Sequence, residues 1–371
     1  MEKVFLTDVC DIQYGYAFDS KLFSDTKGKP IIRIRDIVRG YSETYTTEEC
    51  PDDYIIHNDD ILIGMDGEFN IALWKGGEAV LNQRVCKLIP HNEICKNYIF
   101  YYMPIALKAI EDKTPFVTVK HLSAKELNKI ELPLPTYEIQ NRIANSLFNL
   151  DELIEKRKKQ LSKLDELVKA RFVELFGGCR EHKRLEEYAT LITKGASPKW
   201  QGVDYCEEGT LFITSENVRE GYLDLSKRKY LDDKINEIQP RSMLKRNDIL
   251  INIVGASIGR AAVYDCDEVA NINQAVALVR VDYSQINQIY LMTFLNSPQA
   301  IEMYGKMKKG GARDNLSLQN IADLQIPVVP VELQNQFAAF VEQTDKSKLE
   351  IQKSLEKLEL FKKTLMQKYF G

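Results

Sequence analysis

The chain has 371 residues, 44% of them hydrophobic and 28% charged, which is material for two or three domains with buried cores and excludes a disordered or low-complexity protein. No stretch reaches the ~18 apolar residues of a bilayer span, and Met1-Glu-Lys-Val-Phe-Leu-Thr-Asp lacks the apolar run of a signal peptide, so a cytoplasmic protein without membrane contact is expected. A formal net charge of -4 excludes a global positive field, so any DNA binding has to come from local patches.

Residues 1–135 alternate β-branched or aromatic runs with Gly, Asp, Asn and Pro turns: Pro30-Ile-Ile-Arg-Ile-Arg, Asp60-Ile-Leu-Ile-Gly and Arg84-Val-Cys-Lys-Leu-Ile read as strands. A helical stretch from Lys96 to Ile110 follows. After Leu132-Pro-Leu-Pro, residues 138–176 hold no Gly or Pro and are rich in Glu, Lys, Leu and Gln, which predicts one long helix. Residues 178–329 return to short strands at Leu211-Phe-Ile-Thr, Ile249-Leu-Ile-Asn-Ile-Val and Ala275-Val-Ala-Leu-Val-Arg-Val, then a helix from Ile286 to Met307. A second long helix is predicted over 332–370, after Ile326-Pro-Val-Val-Pro.

The chain therefore repeats itself. Asp60-Ile-Leu-Ile, Gly67 and Asn82-Gln83 return as Asp248-Ile-Leu-Ile, Gly255 and Asn273-Gln274; His121-Leu-Ser returns as Asn315-Leu-Ser and Glu138-Ile-Gln-Asn as Glu332-Leu-Gln-Asn. Over 130–177 against 324–371 there are 13 identities in 48 positions without a gap, whereas the shift drifts in the front part of each half. The gapless part is geometrically constrained, and the drifting part consists of loops on a scaffold.

In the first long helix Leu147, Ile154, Leu161, Val168 and Leu175 recur every seven residues, with Leu164 in the companion register. In the second, Val341, Leu355, Ile351, Leu358 and Leu365 occupy the matching positions, with Lys348 and Lys362 opposite Ile154 and Val168 in the repeat. That complementarity favours pairing of the two helices with each other. The fold class expected is α+β: two pseudo-symmetric globular domains separated by two long helices that form an antiparallel coiled coil, each helix ~58 Å long at 1.5 Å per residue. The domains are 1–135 and 178–329, and the helical spacers are 136–177 and 330–371.

No chemistry is evident in the chain itself. There is no phosphate-loop motif, no Asn/Asp-Pro-Pro-aromatic methyltransferase motif and no His-Glu-x-x-His zinc helix. The seven cysteines (10, 50, 86, 95, 179, 206 and 266) are scattered and never spaced as ligands, so neither disulfides nor a metal site is expected. Gly64-Met-Asp-Gly and Gly255-Ala-Ser-Ile-Gly read as turns that need positive φ, not phosphate cradles.

The ordered motifs, duplicated before two matching helices, carry a resemblance over essentially the whole chain to the specificity subunits of type I restriction-modification systems. They are Asp60-Ile-Leu-Ile-Gly-Met-Asp-Gly-Glu-Phe-Asn with Trp74-Lys-Gly-Gly and Leu81-Asn-Gln-Arg-Val-Cys; Asp248-Ile-Leu-Ile with Ile258-Gly-Arg-Ala-Ala-Val and Asn273-Gln-Ala; Thr118-Val-Lys-His-Leu-Ser; and the proline approaches to Glu-x-Gln-Asn. The resemblance implies two target-recognition domains, each reading half of a bipartite double-stranded DNA sequence, and helices that space them and dock two methyltransferase subunits. It implies no catalysis by the chain; S-adenosylmethionine, ATP and Mg belong to the methyltransferase and to restriction/translocase subunits. An interaction scaffold whose heads bind protein and read no DNA is the competing reading.

Residues that differ between the halves are the better candidate readers of DNA. In the first domain these are Tyr14, Tyr16, Lys21, Arg33, Arg35 and Arg39; in the second, Lys194, Ser197, Lys199, Trp200, Ser215, Asn217, Arg219, Lys308, Lys309 and Arg313. Asn82-Gln83 and Asn273-Gln274, being shared, read as scaffold. The first domain carries 16 basic and 21 acidic residues and the second 19 and 20, so weak DNA binding by the isolated chain is expected.

Overall fold

A computed structural model describes residues 3–113, 120–307 and 315–371. They fall into two compact units, one of residues 1–158 with 353–371 and the other of 159–352. The fold is α+β, with two β-sheet domains and two long helices in contact, Tyr137–Phe176 and Val331–Phe370.

The first unit is built on a four-stranded antiparallel sheet in the order Cys10–Tyr14, Val85–Pro90, Ile61–Gly64 and Ile71–Leu73. Its register pairs Leu88 with Ile12 and Ile61, and Leu62 with Ala72. The repeated Asp-Ile-Leu-Ile run is apolar without alternation because this strand has a core on each face. Ile61 and Ile63 join Leu6, Leu88, Tyr98 and Leu107, while Leu62 faces Ile32, Trp74 and Leu81. Beside this sheet, strands Lys29–Ile32 and Ala79–Leu81 run parallel, Ile31 opposite Val80 and Ile32 opposite Leu81.

The second unit repeats the plan. Its sheet runs Ala189–Lys194, Val276–Val281, Ile249–Asn252 and Ala261–Val263, with Ile249 and Ile251 on one core and Leu250 on another. Strands Thr210–Ile213 and Ala270–Ile272 form the matching parallel pair. The left-handed turns recur as well: Gly67 and Gly255 have φ of 76° and 79°, and Asp59 and Asn247, just before the repeated aspartates, 71° and 73°.

Two elements differ from the sequence reading. The run beginning at Pro30 is a strand only to Ile32, because the buried Asp36 carboxylate accepts the Arg33 N–H at 2.9 Å and starts a short helix, Ile34–Arg39. The helix expected from Ile286 to Met307 is two, Gln288–Leu295 and Pro298–Met307. Asn296 interrupts it by bonding both its amide ends to the Ala261 backbone, at 3.0 and 2.9 Å.

Each unit takes one end of both long helices, and there they lie antiparallel. In the first, Ile143, Ala144 and Leu147 meet Phe370 and Leu365 within the sheet-and-helix core. In the second, Phe172 and Phe176 of the first helix stack edge-on to Phe337 of the second, at 5.5 and 5.4 Å between ring centres. Leu147, Ile154, Val341 and Leu355 are buried, and Leu161, Leu164, Val168, Leu175, Ile351, Leu358 and Leu365 half-buried. The two seam lysines each take an aspartate of the facing helix: Lys348 lies 2.7 Å from Asp165, and Lys362 pairs with Asp151, which also accepts the Tyr101 hydroxyl at 2.9 Å.

The shared glutamine of Glu-x-Gln-Asn fixes the start of each long helix to its domain. Buried Gln140 accepts the Cys95 N–H at 2.7 Å and donates to the Pro135 carbonyl; buried Gln334 accepts the Asn287 N–H at 2.8 Å and donates to Val329. Among the described residues no helix is long and apolar enough to cross a membrane.

Candidate nucleic-acid interface

In the first unit three segments converge on a cleft of about 480 Å³. The loop after strand Cys10–Tyr14 supplies Phe18, Ser20 and Phe23. The junction of strand Lys29–Ile32 with its short helix supplies Arg33, Ile34 and Arg35, and the tight turn before Val85 supplies Asn82, Gln83 and Arg84. The parallel pairing of 31–32 with 80–81 brings the last two segments together. The first segment is held by Tyr16, whose N–H bonds the Leu81 carbonyl at 2.8 Å. Gly15 has to be glycine here, since a Cβ would lie 2.0 Å from the Asn82 carbonyl oxygen.

The cleft is basic within a protein of net charge -4, and no acidic side chain lines it. The guanidinium of Arg33 has no side-chain partner among the described residues. Arg35 reaches Asp36 only at 3.7 Å and Thr44 at 3.4 Å, and Arg84 lies 3.5 Å from Asp66. All three are exposed, and the buried Asp36 beside Arg35 keeps one carboxylate oxygen without a hydrogen bond among the described residues. Such a surface suits a polyanion or an acceptor-rich base edge.

The second unit has the same scaffold with other side chains at the equivalent positions. Asn217 stands where Asp36 does, its Oδ1 accepting the Thr214 N–H at 2.9 Å as Asp36 accepts that of Arg33. The shared asparagines both bond within their own turns, one residue apart: Asn82 Oδ1 accepts the Gln83 N–H, and Asn273 Oδ1 that of Ala275. Gly195 matches Gly15, with a Cβ placed 1.7 Å from the Ile272 carbonyl oxygen. The matched Asp36 and Asn217 bonds set Arg33 and Arg35 against Thr214 and Glu216, and the repeated Asn-Gln pair sets Arg84 against Ala275. Thr214 is buried, and Glu216 pairs with Lys229 at 2.9 Å.

A model of the type I restriction modification DNA specificity domain matches residues 1–165 and 181–360. The chain belongs to this family. As a specificity subunit it is similar to the type I restriction enzyme EcoBI specificity subunit of Escherichia coli, with 31% identity over 372 residues covering 92% of this chain and 78% of that one. It also resembles the MjaVIII specificity subunit of Methanocaldococcus jannaschii, with 24% identity over 91% of this chain and 87% of the relative. Its fold is that of the solved S subunit from M. genitalium, with a TM-score of 0.61 at 16% identity, covering 100% and 96% of the two chains. A chain from a type I R-M complex gives a TM-score of 0.62 at 17% identity, covering 100% and 97%. The family is non-catalytic, and the cofactors of the reaction reside on partner subunits.

The candidate readers of this specificity subunit are not all placed alike. Arg33 and Arg35 line the cleft. Tyr14 is half-buried, its hydroxyl without a hydrogen-bond partner among the described residues and its pKa raised by burial. Tyr16 packs on Phe18 and Tyr54, with ring centres 4.8 and 5.3 Å away. Lys21 is exposed on the cleft-side loop, and exposed Arg39 pairs with Glu43 at 3.0 Å, at the far end of the short helix.

In the second unit, Lys194 and Lys199 are exposed and Ser197 precedes the turn Pro198–Gln201, which presents Trp200 at 85% exposure. Ser215 is half-buried and its carbonyl accepts from Asn252. Arg219 sits 3.4 Å from Asp224. Asn217 is buried and spent on its own loop, bonding Thr214 and the Asp224 carbonyl, so its side chain is scaffold as the loop stands. Lys308, Lys309 and Arg313 lie outside the described residues. The sequence reading took Gln83 as scaffold along with Asn82 and passed over Arg84, which follows them. The signal for Arg84 was its replacement by Ala275 in the second copy.

Proposed function

We propose that the chain reads a bipartite double-stranded DNA target, residues 1–135 contacting one half and 178–329 the other. On this reading the helical segments 136–177 and 330–371 set the gap between the half-sites and dock two modification subunits. Those subunits bind S-adenosylmethionine and methylate adenine, and restriction/translocase subunits that use ATP and Mg cleave unmodified DNA. The chain supplies addressing and no chemistry.

The observation that carries this reading is the duplicated scaffold with unlike cleft residues. The caps, turns, parallel strand pairs and close-approach glycines are the same in both units, while Arg33, Arg35 and Arg84 face Thr214, Glu216 and Ala275 in the comparison. One frame carrying two different surfaces is what reading two different half-sites requires. The test is to co-express the chain with its methyltransferase subunit in a methylation-free host and map modified adenines across the genome. A split motif with a fixed gap supports the reading. A stable complex that leaves the genome unmethylated moves it to a protein scaffold.

A further inference from the structure

Phosphate contacts carry no sequence information and are needed equally by both halves of a bipartite reader, whereas base contacts have to differ between them. The cleft arginines fall in the second class. The scaffold beneath them is kept between the units, yet all three positions change, two to uncharged residues and one to an acid.

Their environment also holds them only loosely. Arg280, a structural arginine of the second unit, is locked on Asp248 by two bonds of 2.7 Å. The cleft arginines have nothing comparable, their acid neighbours standing at 3.5 Å or more. Arginine in the major groove pairs its planar fork with the O6 and N7 acceptors of guanine, which no other base edge matches. We propose, resting on the bipartite reading above, that Arg33, Arg35 and Arg84 form a guanine-selecting face, and that the half-site read by the first unit contains guanine at the positions they meet.

The experiment is genome-wide mapping of methylated adenines in a methylation-free host, with the methyltransferase subunit co-expressed with the wild-type chain or with Arg33→Gln, Arg35→Gln or Arg84→Gln. Each Gln variant is expected to relax one guanine position of a single half-site, with discrimination falling roughly 10- to 100-fold, while the other half-site stays as it was. Arg→Lys variants retain the charge and lose the planar fork, so they relax the same position in part, the ammonium still donating to O6 and N7. Where a Gln variant methylates too little to read, the matching Lys variant decides.

A wild-type motif with no guanine in the affected half overturns the proposal. So do variants that reduce methylation evenly while every motif position stays fixed, which is the behaviour of a phosphate grip. A wild-type complex giving no split motif fails the bipartite reading itself and is distinguishable from both.

Discussion

Arg280 clamps Asp248 through both carboxylate oxygens, Nε to Oδ1 and Nη2 to Oδ2, each at 2.7 Å, and the aspartate is fully buried. The same carboxylate accepts the Lys245 N–H at 2.7 Å, closing the turn that leads into strand Ile249–Asn252. The equivalent Asp60 closes its turn on the His57 N–H and meets Lys87 at 2.8 Å, with both side chains partly exposed. One motif position thus carries a fully buried aspartate in a bidentate pair in one unit and a partly exposed aspartate with a single lysine contact in the other.

Asp248→Ala is expected to cost about 2–4 kcal/mol, because it removes a fully buried carboxylate that takes two bonds from Arg280 and one from the Lys245 N–H. Asp60→Ala should cost about 1–2 kcal/mol, since Asp60 is partly exposed and gives up one lysine contact and one turn bond. Urea unfolding of the two variants checks this, and equal losses would show that the repeat's aspartates carry the same load in both units.

Gly15→Ala and Gly195→Ala should each destabilise by at least ~1–3 kcal/mol, because the added methyl has to displace backbone carbonyls at 2.0 and 1.7 Å. Gly67→Ala meets nothing within 4 Å among the described residues, where its φ of 76° is the cost. Its loss should be smaller, ~1 kcal/mol. Thermal melts of the three variants rank them, and Gly67→Ala melting lowest would contradict the close-approach account.

Burial pushes the thiols of Cys10 and Cys86 up to about 12, with neighbouring Asp11 and Glu93 adding to the effect at Cys10. At pH 8 only about one in ten thousand of either thiol is ionised, so a thiol alkylator should leave both untouched in the folded protein. Cys206 is exposed and should be labelled first. The folded state holds these two protons more tightly than the unfolded chain does. Their contribution to stability is therefore complete below about pH 9 and lost as the pH rises from there towards 12. Peptide mapping after labelling, and urea midpoints at pH 8 and 10.5, test both statements; early modification of Cys86 would contradict the first.

Much of the fold was legible because the chain states it twice. The Gly- and Pro-free stretches marked the long helices, the apolar Asp-Ile-Leu-Ile runs marked strands with a core on each face, and the seven-residue spacing marked the side each helix buries. Lys348 and Lys362 were visible as breaks in that spacing, but not the aspartates across the helix pair that hold them.

The cleft was half legible. Arg33 and Arg35 stand out as basic residues after a strand, whereas Arg84 joins them only because residues 31–32 pair with 80–81, a contact across about fifty residues of chain that no local pattern reports. Asn217 misled for the opposite reason. An asparagine in a loop offers both a donor and an acceptor to a base, and here its own backbone takes them.

The most direct test of two independent readers is to replace residues 1–135 with the corresponding domain of another specificity subunit and map adenine methylation alongside the parent. The account predicts a new sequence in one half of the motif, with the other half and the gap unchanged. A change in both halves, or in the gap, would contradict it.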